Sequence, residues 1–364
     1  MTIRLALSFL VIAAAQFGIF EAGLRIWGSS EAAPSFQGLF EPDAVIGYRL
    51  KPHARMRFTT SEFTADIATN GAGLRDDEEI GPKSPDERRI VLLGDSLVLS
   101  VQVPFQETFG ELLEKRLNGR ASPYRYRVIN AGVQGYGPVE EQLFFRSIAG
   151  TLRPDLVLPV VFVGNDAEEA VGSRHKLDGN RSAAAIGADS LLTRLRRLVR
   201  RSMVLQILRL RIVAATDRLT PSLAPPEPPL QSYAAQPAPR IADGLAIARR
   251  SIEDITRTAS AAGASTAVVL MPARFQVDDA DYGRLSEAVS SAGGRLVRDA
   301  ASERFARALA PLGIPQLDVL AALRAALPGP DLFYQHTVHL TPRGHAVVAE
   351  ALERFIEDRR LLPR

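Results

Sequence analysis

The chain has no cysteine among its 364 residues, which excludes disulfides and thiolate metal sites outright. It has one tryptophan, four methionines and five histidines, so each histidine can be weighed singly. Neither sign of charge dominates: 44 Lys and Arg against 41 Asp and Glu leave +3. That balance is too slight for this length to argue for nucleic acid. The lack of cysteine suits an exported or a cytosolic protein and does not decide the compartment. The apolar and charged fractions are those of a folded chain, long enough for one large domain or two modest ones.

Only one long uncharged run stands out, LALSFLVIAAAQFGIF from Leu5 to Phe20, and it follows MTIR. With Ala22–Leu24 and Ile26–Trp27 it approaches the ~20 residues that cross a bilayer. Arg4 and the amino terminus before it favour an N-in, C-out orientation. Residues 1–27 are therefore expected to form a transmembrane anchor, with the rest of the chain on the far side of the membrane. A cleaved signal peptide is the rival, because Ala13–Ala15 offers small residues after the apolar run.

Residues 28–87 read as a linker followed by a small β preamble, with alternation at Phe63–Ile67 and a turn at Asn70–Gly71. From Arg88 the texture changes. RRIVLLGDS, YRVINAG, DLVLPVVFVGND, STAVVLMPA and IPQLDV read as strands, separated by helical spacing in ETFGELLEKRLNG, PVEEQLFFRSIAGTL, Ala242–Ala262 and a region reaching about Leu312. Strands that alternate with helices imply βαβ units and a parallel sheet covered on both faces. The expected fold over 88–364 is α/β. An insertion interrupts it at about 171–241. Its first half, LLTRLRRLVRRSMVLQILRLRIVAATDRL, is a basic amphipathic helix or helix pair. That segment either packs its apolar face on the domain or rests on anionic lipid. The second half, PSLAPPEPPLQSYAAQPAP, is proline-rich and extended.

Four stretches carry chemistry. Gly94–Asp95–Ser96–Leu97 follows a strand, at the carboxyl edge where α/β sheets bind ligands. A serine on that turn presents its hydroxyl and N–H to one cleft, although such a serine can equally be a helix N-cap. Gly132 in NAGVQGYG can aim its N–H at an oxyanion without a side chain in the way, or can be an ordinary loop glycine. Asn165 in GND can donate its amide to the same atom, or can close an Asx turn. Together with the Ser96 N–H these would make a three-donor oxyanion hole. The last stretch, YQHTVHLTPRGH, holds three of the five histidines. Thr341–Pro342 is an N-cap and first-turn pair, so His339 lies on the loop entering the last helix and His345 inside that helix. His336 and His339 lack a third partner at a convincing spacing, so no metal is expected. No other cofactor is expected either.

Taken in order, GDSL, Gly132, Gly164–Asn165–Asp166 and His339 in HLTPRGH resemble the SGNH (GDSL) hydrolase superfamily, from about Arg88 to the C-terminus. The anchor followed by GYRLKP and TNGAGLRDDEE is similar to membrane-tethered bacterial members, which implies an anchor in a bacterial inner membrane and a domain in the periplasm. The resemblance implies a three-layer α/β/α sandwich, flavodoxin-like, around about five parallel strands. It also implies Ser96 as nucleophile, His339 as general base, and the Ser96 N–H, Gly132 N–H and Asn165 side chain as the oxyanion hole. The expected partner is an ester substrate, an O-acyl or acetyl ester of a cell-envelope glycan or a small ester. An acyltransferase or a glycan-binding assembly protein is the alternative. One position departs from the pattern: the family's aspartate three residues before the histidine is here His336. A carbonyl or another acid could hold the His339 N–H instead, with Asp331 the nearest carboxylate in sequence. The remaining readings are an impaired enzyme and a binding site without turnover.

Overall fold

The structure, a computed structural model, describes residues 38–177, 230–328 and 331–362, together with Gln16 alone. The apolar run Leu5–Phe20, apart from Gln16, and most of the Arg-rich and Pro-rich insertion lie outside the described residues. Among the described residues no helix is long and apolar enough to cross a membrane.

Two antiparallel pairs come first. Strand β1 (Phe40–Asp43) pairs with β2 (Gly47–Leu50), and β3 (Arg55–Thr59) with β4 (Thr64–Ala68). Phe40–Asp43 falls inside a stretch that reads as linker. It becomes a strand because Asp43 Oδ1 accepts the Val45 and Ile46 N–H groups at 2.8 and 2.9 Å, turning the chain back on itself.

The main body is a parallel sheet of β5 (Glu87–Gly94), β6 (Arg125–Gly132), β7 (Leu156–Phe162), β8 (Ser265–Thr266), β9 (Val268–Met271) and β10 (Gln316–Asp318). The order across it is β10, β9, β7, β5, β6, with β8 also on β7. Strands β8 and β9 are one line of chain broken at Ala267. The break faces Pro159, which sits in the middle of β7 and has no N–H for the ladder. The strand cores Ile90–Leu93 and Leu156–Leu158 are fully buried, as a sheet covered on both faces requires.

Helix α1 (Ser96–Leu99) follows β5, and α2 (Phe109–Asn118) precedes β6. Next come α3 (Pro138–Leu152), α4 (Asp166–Ser173) and α5 (Pro239–Ala261), then α6 (Arg274–Val277), α7 (Asp279–Ser291), α8 (Ala300–Leu309), α9 (Leu320–Ala325) and α10 (Pro342–Asp358). Helices α2 and α10 pack together on one face, where Glu353 is buried under Arg116 and Arg120, with Arg120 Nη2 at 2.6 Å. Helices α3, α4, α5 and α8 cover the other. The result is an α/β fold in three layers around the parallel sheet.

The preamble is fastened to the core by one side chain. Arg75 is fully buried, and its guanidinium donates to the Leu99, Ser100 and Val103 carbonyls, at 2.7 Å for Leu99 and 2.6 Å for Val103. Burial pulls its pKa down to about 10, partly offset by Asp77. Replacing Arg75 with Met would leave those carbonyls unpaired in a dry interior. It is expected to lower unfolding stability by about 2–4 kcal/mol, read as a drop in the urea midpoint. An unchanged midpoint would mean that water replaces the guanidinium without loss.

Candidate active site

The sheet order brings three of the sequence-predicted residues to one edge. Strands β6, β5 and β7 are adjacent and parallel, and Gly94 pairs in register with Gly132. Ser96 follows the carboxyl end of β5, Gly132 ends β6, and Asn165 follows β7. The crossover direction reverses between β5 and β7, the switch point where open α/β sheets hold ligands.

Ser96 is not the N-cap of α1. Asp95 is, with Oδ1 accepting the Leu97 N–H at 2.8 Å, so Ser96 is the first helical residue and its N–H has no intrahelical acceptor. Four residues do not make a stable helix by themselves; this one is held by its surroundings. Ser100 adopts a left-handed conformation (φ 56°), and its hydroxyl donates to the Leu97 and Val98 carbonyls at 2.6 and 3.1 Å. Asn130 Nδ2 donates to the Val98 carbonyl at 2.7 Å, and Arg75 takes the next two carbonyls. Burial raises the Asp95 carboxyl to about 6.

Gly132 must be glycine for packing: a Cβ there would stand 2.3 Å from the Leu99 nitrogen. Its N–H donates to Asn130 Oδ1 at 3.0 Å, so in this structure it is already engaged. Three residues on, Gly135 has φ +71°, is exposed, and its N–H meets no acceptor among the described residues. The loop is held there by Tyr48, whose hydroxyl donates to the Gln134 carbonyl at 2.7 Å. Gly135 was not singled out in the sequence; its place in GVQGYG, the second glycine after a strand, is the signal that pointed to it.

The Asn165 side chain does not cap α4. Nδ2 donates to Glu169 Oε1 at 2.7 Å, while Oδ1 is buried without a partner. One Nδ2 hydrogen is therefore committed to Glu169 and the other remains available. Beneath this edge lies a group of buried acids. Burial first, then neighbouring acids, raises Glu141 and Asp166 well above the carboxylate range and Glu169 to about 8. Neither Glu141 oxygen has a partner.

The histidine loop is strapped from two sides. Glu62, between β3 and β4, accepts the Gln335 and His336 N–H groups at 2.6 and 3.1 Å. Arg274 donates to the Tyr334 and Gln335 carbonyls, at 2.9 Å for Tyr334. The Tyr334 hydroxyl reaches the Gln102 carbonyl at 3.1 Å, just past α1, and its ring lies 5.1 Å from that of Phe63. Within the loop, His339 is half-buried, and neither ring nitrogen has a hydrogen-bond partner among the described residues. Asp331 does not hold it: the Asp331 backbone carbonyl takes the Thr341 hydroxyl at 2.7 Å. Burial with no compensating acid drives the His339 pKa down to about 4. His336 is exposed. No hydrogen bond joins Ser96 to His339. His345 is buried in α10, stacks on Phe109 at 5.6 Å, and accepts the Phe109 N–H at Nδ1 (3.2 Å). Among the described residues no cluster of His, Asp and Glu could hold a metal ion.

A cavity of about 760 Å³ opens beside these groups, with Gly164, Asn165 and the loop Gln335–Val338 in its lining.

No protein of curated function matches the chain in sequence. Among solved structures it is similar to TesA (15% identity, 76% of this chain and 100% of that one, TM-score 0.42). It is also similar to the acetylxylan esterase Axe2 of Geobacillus stearothermophilus (13%, 76% and 97%, TM-score 0.40) and to a lipase/acylhydrolase of Enterococcus faecalis (15%, 76% and 98%, TM-score 0.41). Likeness at this level says nothing of substrate or residue roles. In sequence, residues 231–363 match the family model described as SGNH hydrolase-like domain, acetyltransferase AlgX. That span holds Arg274, the histidine loop and α10, while Ser96, Gly132 and Asn165 lie before it.

Proposed function

We propose that the chain is a serine esterase or acyltransferase that cleaves O-acyl esters through Ser96 and His339. The observation that carries this reading is the shared carboxyl edge: Ser96, the β6 loop and Asn165 stand on three adjacent parallel strands. Ser96 Oγ attacks the ester carbonyl carbon while His339 takes its proton. The carbonyl oxygen becomes an oxyanion, met by the Ser96 N–H, the free Asn165 Nδ2 hydrogen and a glycine N–H of the β6 loop. Gly135 suits the last role better than Gly132, whose N–H is already bonded to Asn130. The intermediate collapses, the alkoxide leaves with the proton from His339, and an acyl-serine remains. Water then gives hydrolysis and a sugar hydroxyl gives transfer. Cell-envelope glycan is the alcohol we favour, with the domain held on the periplasmic side of the inner membrane by residues 1–27.

The unpartnered ring of His339 favours a second reading, a glycan-binding or assembly protein that keeps the fold without turnover. An imidazolium formed in that setting has no carboxylate to stabilise it.

The two readings part on a chromogenic ester. Under the first, the full chain hydrolyses it, Ser96→Ala abolishes turnover, and Asn165→Ala lowers kcat about 10²–10³-fold; turnover that survives Ser96→Ala rejects it. The base works only when neutral, so a His339 pKa near 4 places the acidic limb of kcat/KM near pH 4, not near the ordinary 6.5. Introducing His336→Asp stabilises the imidazolium, moves that limb upward and raises the rate at pH 7 roughly tenfold. A pH profile that does not move shows that position 336 does not reach the ring. For the location, external protease should digest the domain only after the outer membrane is permeabilised; protection in spheroplasts would contradict a periplasmic domain.

A further inference from the structure

The cavity beside Asn165 is larger and drier than an acetyl group needs. Its 760 Å³ lies in the range that encloses drug-sized ligands, whereas acetyl offers it a single methyl. Phe162 lines it from the end of β7, Phe275 from α6, Leu285 and Ala288 from α7, and Val338, 43% exposed, from the histidine loop. The charges in its lining are tied down: Arg274 and Arg284 both pair with Asp281, and Arg274 also holds the loop carbonyls. The cavity is continuous with Asn165 at one point and with the residues just before His339 at another. Three further cavities on the described surface, of about 250, 380 and 330 Å³, are smaller, and the buried acids have nothing among them that points to a ligand.

We propose that this cavity is the acyl subsite, and that it takes a medium-length saturated acyl chain in preference to acetyl. The assignment rests on the proposed function, because it needs the reacting carbonyl to lie between Ser96 and Asn165. The two sides of an ester make different demands there. The alcohol must leave and an acceptor must enter, so its side has to stay open to solvent. The acyl group remains on the serine through both half-reactions, so a walled apolar space suits it. Each methylene that enters such a space is worth about fourfold in binding.

The test uses the full chain and p-nitrophenyl esters from acetate to octanoate. The expected result is kcat/KM rising about fourfold per methylene over the first few steps. Ala288→Trp, on the solvent side of α7, should lower the octanoate-to-acetate ratio at least tenfold by filling the space. Acetate as the best substrate, or a ratio that Ala288→Trp leaves unmoved, overturns the assignment. Ethyl octanoate and octyl acetate are isomers that carry the same chain on opposite sides of the ester; faster cleavage of octyl acetate also overturns it. Octanoate binding by calorimetry separates this inference from the catalytic reading. Octanoate that binds and is displaced by Ala288→Trp, in a chain that turns over no ester, keeps the subsite and rejects the catalysis. Ser96-dependent turnover with no octanoate binding and no chain-length preference does the reverse.

Discussion

The site depends on a buried cation without a carboxylate. Arg75 spends its guanidinium on the Leu99, Ser100 and Val103 carbonyls, which are the last acceptors of α1 and of the loop behind it. A helix of four residues leaves nearly all its carbonyls without intrahelical donors. Arg75, the Ser100 hydroxyl and Asn130 supply those donors from three different parts of the chain. Ser96 therefore sits on a turn whose position is set from behind, leaving its own N–H and hydroxyl uncommitted. Because Arg75 comes from the segment after β4, the antiparallel preamble is part of the site's foundation and not an appendage to it.

The same preamble reaches the other half of the site. Glu62 takes two backbone N–H groups of the histidine loop, and the Phe63 ring packs at a tilt against that of Tyr334. Arg274 grips the loop's carbonyls from the opposite side. The backbone around His339 is thus fixed by charge-assisted hydrogen bonds while its ring is fixed by none. In triads the acid both orients the imidazole and stabilises its cation. Here orientation falls to the backbone and to packing, and no described residue performs the second task. The low His339 pKa is the electrostatic form of that absence: burial disfavours the cation, and no partner repays the cost.

How much of this was legible in the sequence follows from the range of the interactions. The parallel sheet was legible because Ile90–Leu93 and Leu156–Leu158 are uninterrupted apolar runs buried on both faces. The N-cap at Thr341 was legible because the capping bond to Gly344 spans three residues. The departure at His336 was likewise visible as a residue out of pattern. Arg75 was not, since its acceptors lie 24 to 28 residues away and are carbonyls that any sequence supplies. Glu62 acts across more than 270 residues, again on backbone groups. Gly132 shows a subtler limit. Its glycine identity is explained by the closeness of α1, and its N–H goes to Asn130, so a glycine at the expected place need not be the oxyanion donor.

The acids beneath the edge complete the electrostatic picture. Burial pushes Asp95, Glu141, Asp166 and Glu169 toward the neutral form, and the charge of Asp95 raises the other three further. Were they all ionised, several negative charges would face the place proposed for the oxyanion, and donors there would be working against the field. Glu141, Asp166 and Glu169 are shifted far enough toward the neutral form to fill the interior as polar packing, and Glu169 can hold the Asn165 amide without opposing the charge that amide is proposed to receive. The same desolvation that weakens His339 as a base therefore protects the oxyanion side. Both effects follow from burial behind the carboxyl edge, between the preamble, which straps the histidine loop through Glu62, and α4, which carries Asp166 and Glu169.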